Sequence, residues 1–563
     1  MHEKGIELNV SFGTINQILQ NPLGKWLIVV CVLALMGSFV GLVTSWLGDG
    51  TRGLLNFTGV LGRGLGDLVL VSPQRILALA TLTARESIRR KALWVGAVFV
   101  VLFMFAGWFI GEGSDIAPAK NYISFVMTTT RWMLLPVAVM LACWGLPADI
   151  RDRSLHTVVT KPVRRSEVVL GRITGYIFVM STLLLVVGVV GYLWVLRVVP
   201  ERSQRQLIAR VPHYGGLKML NGEGEAVNKD GTPYTGINVG DYIELKRFIE
   251  GATKQRAIWI FKDLRAAEFP GTDDVRLEYN FEAFRTYKGE VDSQIAFQVN
   301  LVNPKTKLRV PINAYPVNEF SSEVVHVLNE AKPENLISLH RQIEYTEHGA
   351  KHTADLFQDL VDGGELTVEL ACIDAHQFLG VSPEGLFVRL PDRSFFVGYW
   401  KAMFVTWMML VVIVTIGTTS SCILKGPVAT LATSGLLVLG TFLKGSLLDR
   451  LNGYYNQGGV MGGGSVEAFY RIMTRMNEQS PLDDSLTKKV IETLDSGVYA
   501  MLYLAQYVIP DMRAFDAAHF IANGFDVSWL GCLLPSVLIT LGFFIPAYII
   551  GYFGLQVREL EAK

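Results

Sequence analysis

Few side chains in this 563-residue chain are spaced in a way that supports catalysis. Asp374 and His376 stand two residues apart, so in a strand they would share one face and could bind a metal ion. More often, such a pair is simply two polar residues at a junction between a strand and a loop, and we favour this interpretation. The sequence contains no zinc-protease spacing of histidines, no G-x-S-x-G segment and no G-x-x-x-x-G-K-[ST] segment. We therefore predict that this chain is not an enzyme and binds no metal or cofactor of its own.

The most distinctive chemistry lies in the charged segment 149–172, which separates two long apolar runs. Leu134–Ala148 before it and Ile173–Leu196 after it contain no charged residue. A short charged segment between two membrane-spanning helices must lie at a membrane surface, and a basic one stays cytoplasmic. The residues that we single out in it are Arg151, Arg153, Lys161, Pro162, Arg164, Arg165 and Glu167.

Local signals divide this segment into two parts. Pro162 stops any helix begun upstream and biases Lys161 toward an extended backbone. Ser166 and Glu167 then suit the first turn of the next helix. We predict a short helix, a turn marked by Pro162 and a long membrane span.

Uncharged runs of membrane-spanning length recur along the chain and predict seven spans. Residues 26–47 are uncharged, and 22 residues form a helix of about 33 Å, enough to cross the hydrocarbon core. This run lacks the short apolar core and clear cleavage site of a secretory signal, so we interpret it as an uncleaved span. The predicted spans are 26–47, 93–110, 125–148, 173–196, 402–424, 428–443 and 529–553. The last six place both of their ends inside, and the first places the N-terminus outside.

The region before the second span predicts a helix that lies along the membrane. Residues 49–92 are rich in arginine, which indicates a cytoplasmic location. Pro73 opens a helix whose apolar residues recur at helical spacing, with basic residues elsewhere on its circumference. The apolar residues are Ile76, Leu77, Ala80, Ala84 and Ile88. The alternative is a cytoplasmic helix docked on other protein.

A polar insert, 197–397, separates the two membrane halves and predicts antiparallel β-structure. Alternating apolar and polar residues occur at 275–284, 295–302, 366–373 and 386–390. Turn signals such as Asp362-Gly363-Gly364 lie between such stretches. We expect a β-sandwich with its own core, and the order of the spans places it outside the cytoplasm.

The chain therefore divides into four parts around α-helical spans. Arg131, near the outer end of the third span, is expected to extend toward the headgroups, and substrate contact is the alternative. The glycine-rich stretch at 458–464 lacks a following G-K-[ST] and is expected to be a flexible loop. The parts are 1–92 with the first span and amphipathic helix, 93–196 with the charged loop 149–172, the β-rich extracytoplasmic insert 197–397, and 398–563 with an extracytoplasmic helical loop at 444–528.

The segment T-K-P-V-R-R-S-E-V-V-L-G-R at 160–172 resembles the "TKPVsRwEillGK" loop of ABC-2 type transporter permeases. Two further stretches are similar to that family: 76–91, which resembles its elbow helix, and I-P-D-M-R-A-F-D at 509–516, which precedes its last span. The first span and the large insert depart from the family's six-span pattern.

This resemblance implies a membrane-spanning permease subunit in a bacterial inner membrane. ATP would be bound by a separate ABC ATPase subunit, which would contact the loop 149–172, and the permease would work as a homo- or heterodimer surrounded by lipid. A groove on a soluble partner is suited to a rigid helix with charged side chains. For each of these charges the simpler alternative is that it only follows the positive-inside rule.

Two other functions are open from the sequence. The chain could be a membrane-anchored extracytoplasmic binding or scaffold protein, although seven spans exceed what an anchor needs. An intramembrane enzyme has no support, because no paired carboxylates or histidines occur inside the spans. The formal net charge of zero argues against a nucleic-acid partner.

Overall fold

The structure is a computed structural model, and it leaves two of the predicted spans and the centre of the charged loop outside the residues that it describes. It describes residues 66–89, 118–151, 163–199, 207–228, 231–237, 247–269, 274–285, 294–317, 335–347, 350–456, 463–477 and 486–561, with isolated positions between 26 and 64, at 98 and at 482. The predicted spans 26–47 and 93–110 therefore lie outside the described stretches, as do loop residues 152–162.

Ten α-helices occur in the described residues. They are α1 (Pro73–Arg89), α2 (Pro118–Arg151), α3 (Arg165–Val198), α4 (Phe395–Ile423), α5 (Gly426–Val438), α6 (Lys444–Asn456), α7 (Ser465–Thr474), α8 (Leu486–Val508), α9 (Ala518–Ala522) and α10 (Leu534–Glu561). A π-helical turn joins α5 to α6, and another precedes α10 at Trp529–Leu533.

Five described helices are long and apolar enough to cross a membrane, or six if the bent stretch that ends in α1 is counted. They are Ala119–Ala148, Arg165–Val198, Phe395–Ile423, Gly426–Tyr455 and Trp529–Arg558. These five match five of the seven predicted spans in order. Each helix is longer than its predicted apolar run, because polar residues beside the run continue the helical backbone hydrogen bonds. This architecture is compatible with a multi-pass membrane protein.

Helix α4 forms the centre of the helical part, and its side chains are buried along most of its length. It contacts α2, α3, α5 and α10, which explains why its sequence is apolar on every side. Tyr399 donates its buried hydroxyl to the Gly188 carbonyl of α3 at 2.8 Å. Trp407 Nε1 of α4 donates to Ser181 Oγ, which also belongs to α3, at 2.7 Å. These two hydrogen bonds give buried polar groups of α4 a partner in α3.

The described residues between α3 and α4 form fourteen strands. They are β1 (Ile208–Tyr214), β2 (Gly216–Leu220), β3 (Arg247–Glu250), β4 (Arg256–Phe261), β5 (Asp274–Tyr279), β6 (Glu282–Arg285), β7 (Ile295–Val302), β8 (Arg309–Val317), β9 (Leu336–His340), β10 (Gln342–Glu347), β11 (Ala350–Asp355), β12 (Leu366–Cys372), β13 (Gln377–Val381) and β14 (Leu386–Ser394). The sheet orders are β1-β14-β5-β9, β2-β4-β12-β7-β8, β3-β13-β6 and β10-β11.

All strand pairs in these sheets are antiparallel, and the two largest sheets share one core. Tyr279 of β5 meets Phe297 of β7 edge to face, with ring centroids 5.0 Å apart. The β-rich character of the insert is therefore confirmed. The alternating stretch 275–284 is divided between two strands, because the chain leaves the first sheet at Asn280 and enters another sheet with β6.

Candidate coupling site

The start of α3 and the segment that leads into α1 form one polar cluster. Glu167, in the first turn of α3, accepts a hydrogen bond from the backbone N–H of Arg164 at 2.9 Å. A carboxylate at this position also complements the positive end of the helix dipole. The predicted helix start at Ser166 and Glu167 is thus confirmed within one residue, since α3 begins at Arg165.

Glu167 also binds the segment before α1. Its second oxygen accepts the backbone N–H of Ser72 at 2.9 Å, and Arg75 lies 3.5 Å from the carboxylate. The Glu167 side chain is only 1% exposed. It therefore faces the protein itself rather than solvent.

Arg164 and Ser166 bind the same segment from the other side. Arg164 donates to the Leu70 carbonyl and lies 3.6 Å from the Asp67 carboxylate. Ser166 Oγ donates to the Asp67 carbonyl at 2.7 Å. Tyr552 of α10 donates to the Asp67 carboxylate at 3.2 Å. Residues 67–72 are therefore held between the first turn of α3 and the last long helix.

Close packing of α1 on α3 extends this cluster. A Cβ added to Gly175 would meet Thr83 Cβ at 2.6 Å and the Ala80 carbonyl at 2.8 Å, so only glycine permits this approach. Arg172 of α3 also donates to Glu86 of α1 at 2.8 Å. The face of α1 that is buried consists of small residues, namely Ala80, Thr83, Ala84 and Ser87.

This packing divides the apolar residues predicted for α1 between two surfaces. Leu77 and Ile88 are 62% and 47% exposed, whereas Ala80 and Ala84 are buried. The physical reason is that the glycines of α3 accept small side chains at short range, and larger ones would hold the helices apart. The larger apolar residues of α1 are left on its outer surface, as a helix at a membrane interface requires.

The remaining loop residues are only partly accounted for. Arg151 is the last residue of α2, and Arg165 is the first residue of α3 and makes polar or electrostatic contacts within the chain. Arg153, Lys161 and Pro162 lie outside the described residues, so their predicted roles stay predictions. The structure brings Arg164 and Glu167 together at the junction with α1.

A second cluster of buried charged side chains joins the β region to the helices. It lies beside the first turns of α4, at the opposite end of the helices from Glu167. Asp526, in the turn before α10, accepts hydrogen bonds from Lys401 and Arg393, each at 2.8 Å. Lys401 also donates to the Val527 carbonyl at 3.2 Å and lies over the Trp529 ring. In the sequence, Lys401 directly precedes the predicted span 402–424 and marks its end, whereas nothing singles out Asp526 except that it is a charge shortly before the apolar run 529–553.

Arg210 of β1 completes this junction. It forms a buried ion pair with Glu278 of β5 and donates to the Asn523 and Gly524 carbonyls. Its guanidinium lies 4.2 Å from the centre of the Phe525 ring. Burial, with the nearby Arg389 guanidinium, lowers the pKa of Arg210 to about 10. The arginine is still charged at neutral pH, and it fixes the strand to the turn before α10.

The other candidate residues have local roles. Asp374 accepts the backbone N–H of Ala296 at 2.7 Å, and His376 lies in the turn after β12 with a φ of 60°. The pair is therefore in a turn, as we favoured, rather than on one face of a strand. Arg131 forms an ion pair with Asp516 at 2.9 Å. Among the described residues, no group of three or more histidine, cysteine or acidic side chains is arranged to hold a metal ion.

Comparison of the chain with protein-family models, with curated proteins and with solved structures finds no match. A functional assignment therefore depends on geometry and residue chemistry.

Proposed function

We propose that this chain is the membrane-spanning permease subunit of an ABC transporter in a bacterial inner membrane. It moves a substrate whose identity is open, and a separate ATPase subunit binds and hydrolyses the ATP. The chain itself contributes no catalytic group. The loop 149–172 is the docking site, with Arg151, Arg153, Lys161, Arg164 and Arg165 as its basic residues.

The observation that carries this proposal is the network around Glu167. A loop can transmit a movement only if it is fixed to the helix that must move. Glu167, Arg164 and Ser166 tie the end of the loop to α3, to residues 67–72 and through them to α10. A displacement applied to the loop from the cytoplasm would thus reach two membrane helices together.

The junction at the other end supports a transporter over a scaffold protein with a passive anchor. A binding domain on an anchor needs only a tether. Here Arg210 of β1 donates to the Asn523 and Gly524 carbonyls, and Asp526 joins Lys401 of α4 to Arg393 of β14, so that charged groups hold the β region to the helices. Burying such charges is costly unless they are paired, so a loose tether would be the simpler solution for an anchored module.

The test is co-purification of an ABC ATPase from membranes. We expect the detergent-extracted chain to recover a subunit that contains a Walker A segment and hydrolyses ATP. The variant Arg153→Glu/Lys161→Glu should lose this subunit while it reaches the membrane in unchanged amount. The control is Lys351→Glu, a reversal at an exposed lysine of the β region, which should retain it.

Two results would contradict the proposal. One is that the unaltered chain recovers no ATPase. The other is that the loop variant and the Lys351→Glu control retain the ATPase equally.

A further inference from the structure

Arg558, near the C-terminal end of α10, binds the end of the central helix α4. Its Nη1 donates to the Ser421 carbonyl at 2.6 Å and to the Leu424 carbonyl at 3.1 Å. Helix α4 ends at Ile423, and carbonyls at the C-terminal end of a helix have no partner inside it. A guanidinium there also complements the negative end of the helix dipole. Arg558 therefore caps α4 from a distant part of the chain.

The same hydrogen bonds hold the start of α5. Only Leu424 and Lys425 separate α4 from α5, which begins at Gly426. The Leu424 carbonyl thus belongs to the tight turn between two helices that are each long and apolar enough to cross a membrane. Arg558 fixes both helices at one point.

Close packing of α10 on α4 continues beside these bonds. A Cβ added to Gly554 would overlap the Ile423 side chain, and one added to Gly551 would meet Thr419 Oγ1 at 3.6 Å. Thr419 Oγ1 donates to the Ala547 carbonyl of α10 at 3.0 Å. Small residues let helix backbones approach closely, so the cytoplasmic half of α10 lies directly against the last turns of α4.

Another face of this half of α10 binds the segment that Glu167 holds. The Tyr548 hydroxyl donates to the Leu68 carbonyl, and the Tyr552 hydroxyl donates to the Asp67 carboxylate, each at 3.2 Å. Tyr552 and Arg558 are six residues apart, which is about 9 Å along a helix. One short stretch of α10 therefore contacts both residues 67–72 and the end of α4.

We propose that Arg558 is a positioning residue for coupling. It passes a displacement of residues 67–72 through α10 to the end of α4 and the turn into α5. Apolar packing is non-directional, so helices held by it alone can slide, whereas hydrogen bonds from one guanidinium to two carbonyls fix distance and orientation.

This link joins the helices on the two sides of the β region. The loop 149–172 connects α2 to α3, which precede the β region, whereas α4 and α5 follow it. Through Arg558, a single docking event at the loop moves helices of both groups. The coupling role rests on the proposed function, but the link itself is a property of this chain and can be measured without an ATPase.

Amide hydrogen exchange of the full chain in detergent measures the link. Glu167→Ala releases the backbone N–H of Ser72, and exchange is followed at residues 420–429. We expect Glu167→Ala to speed this exchange about threefold when Arg558 is present. In chains that carry Arg558→Met, adding Glu167→Ala should cause no further increase. A cap with only a local role would give the same increase in both backgrounds.

Three further variants serve as controls for this measurement. Lys425→Met removes a cation from an exposed position in the same turn and should keep the threefold response to Glu167→Ala. Arg558→Lys retains a cationic donor and should restore most of it. Gly554→Ala keeps the guanidinium but pushes α10 away from Ile423, and it should reduce the response. Gly554→Ala therefore tests the link even if Arg558→Met fails to accumulate in membranes.

A second measurement uses the ATPase. Arg558→Met should co-purify with it in unchanged amount, while ATP hydrolysis no longer responds to the permease. An unchanged hydrolysis response would overturn the proposal, as would equal exchange increases with and without the guanidinium. If the unaltered chain recovers no ATPase, the proposed function fails, and the exchange measurement alone decides whether Arg558 joins residues 67–72 to α4.

Discussion

Asp526 and Lys401 form a buried ion pair across 125 residues of sequence, with both carboxylate oxygens 2.8 Å from the ammonium nitrogen. The two side chains are 4% and 7% exposed. One belongs to the turn before α10 and the other to the first turns of α4. The pair thus fixes the start of α4 to the turn before α10, and Arg393 joins the last strand to the same carboxylate.

Removal of Asp526 should strongly destabilise the protein. Asp526→Ala leaves the Lys401 ammonium buried without its partner, and such a change costs about 3–5 kcal/mol. The double variant Lys401→Met/Asp526→Leu should recover most of this loss, because no charge is left unpaired. Thermal unfolding in detergent measures the stability of both variants.

The control is Asp362→Ala, whose partner Lys305 is 75% exposed. Loss of this exposed ion pair should cost less than about 1 kcal/mol. A double variant as unstable as Asp526→Ala would contradict this account.

Replacement of Arg210 should loosen the turn before α10. In Arg210→Met the Asn523 carbonyl loses its donor from β1, and the Gly524 carbonyl keeps only the backbone N–H of residue 210. Glu278 keeps only Arg389, at 3.9 Å. We expect faster amide hydrogen exchange at 523–526 and unchanged exchange in the middle of α4. Arg276→Met, at an exposed position of β5, is the control. Identical exchange in the two variants would show that the guanidinium does not hold the turn.

A single methyl group added at Gly175 should push α1 away from α3. Gly175→Ala places a Cβ 2.6 Å from Thr83 Cβ, and overpacking of this kind costs about 1–3 kcal/mol. Gly188→Ala on the same helix meets Trp400 at 3.5 Å and Met403 Sδ at 3.7 Å, both ordinary contacts. Alanine also improves helix propensity there by about 1 kcal/mol. Unfolding temperatures in detergent should therefore move in opposite directions. A shift of equal sign and size would argue against the tight approach.

Loss of the Glu167 carboxylate should uncouple the loop without abolishing docking. Glu167→Ala deprives the backbone N–H groups of Ser72 and Arg164 of their acceptor, at a cost of about 1–3 kcal/mol. If the proposed function holds, the ATPase still co-purifies, but its ATP hydrolysis no longer responds to the permease. Thr174→Ala, at an exposed position of α3, should leave both readouts unchanged. Full ATPase response in Glu167→Ala would remove Glu167 from the coupling path.

Local sequence signals were sufficient for the helices and for many strands. The uncharged run 173–196 lies inside α3, the run 402–424 lies inside α4 except for its last residue, and the alternating stretch 295–302 is β7. These signals are strong because an apolar run or a two-residue period reports directly on what surrounds the backbone. The stretch 275–284 was less informative, since alternation continues through a turn when both flanking strands are half buried.

The sequence by itself determined the order of the apolar helices, the β-rich insert between them and the charged loop at 149–172. Only the tertiary structure decided that Glu167 faces Ser72, that small residues of α1 pack on Gly175, and that Asp526 joins Lys401 to Arg393. The reason is physical: periodicity reports burial, whereas the partner of a buried charge depends on which distant segments the fold brings together. The contacts that unite these helices are of this second kind.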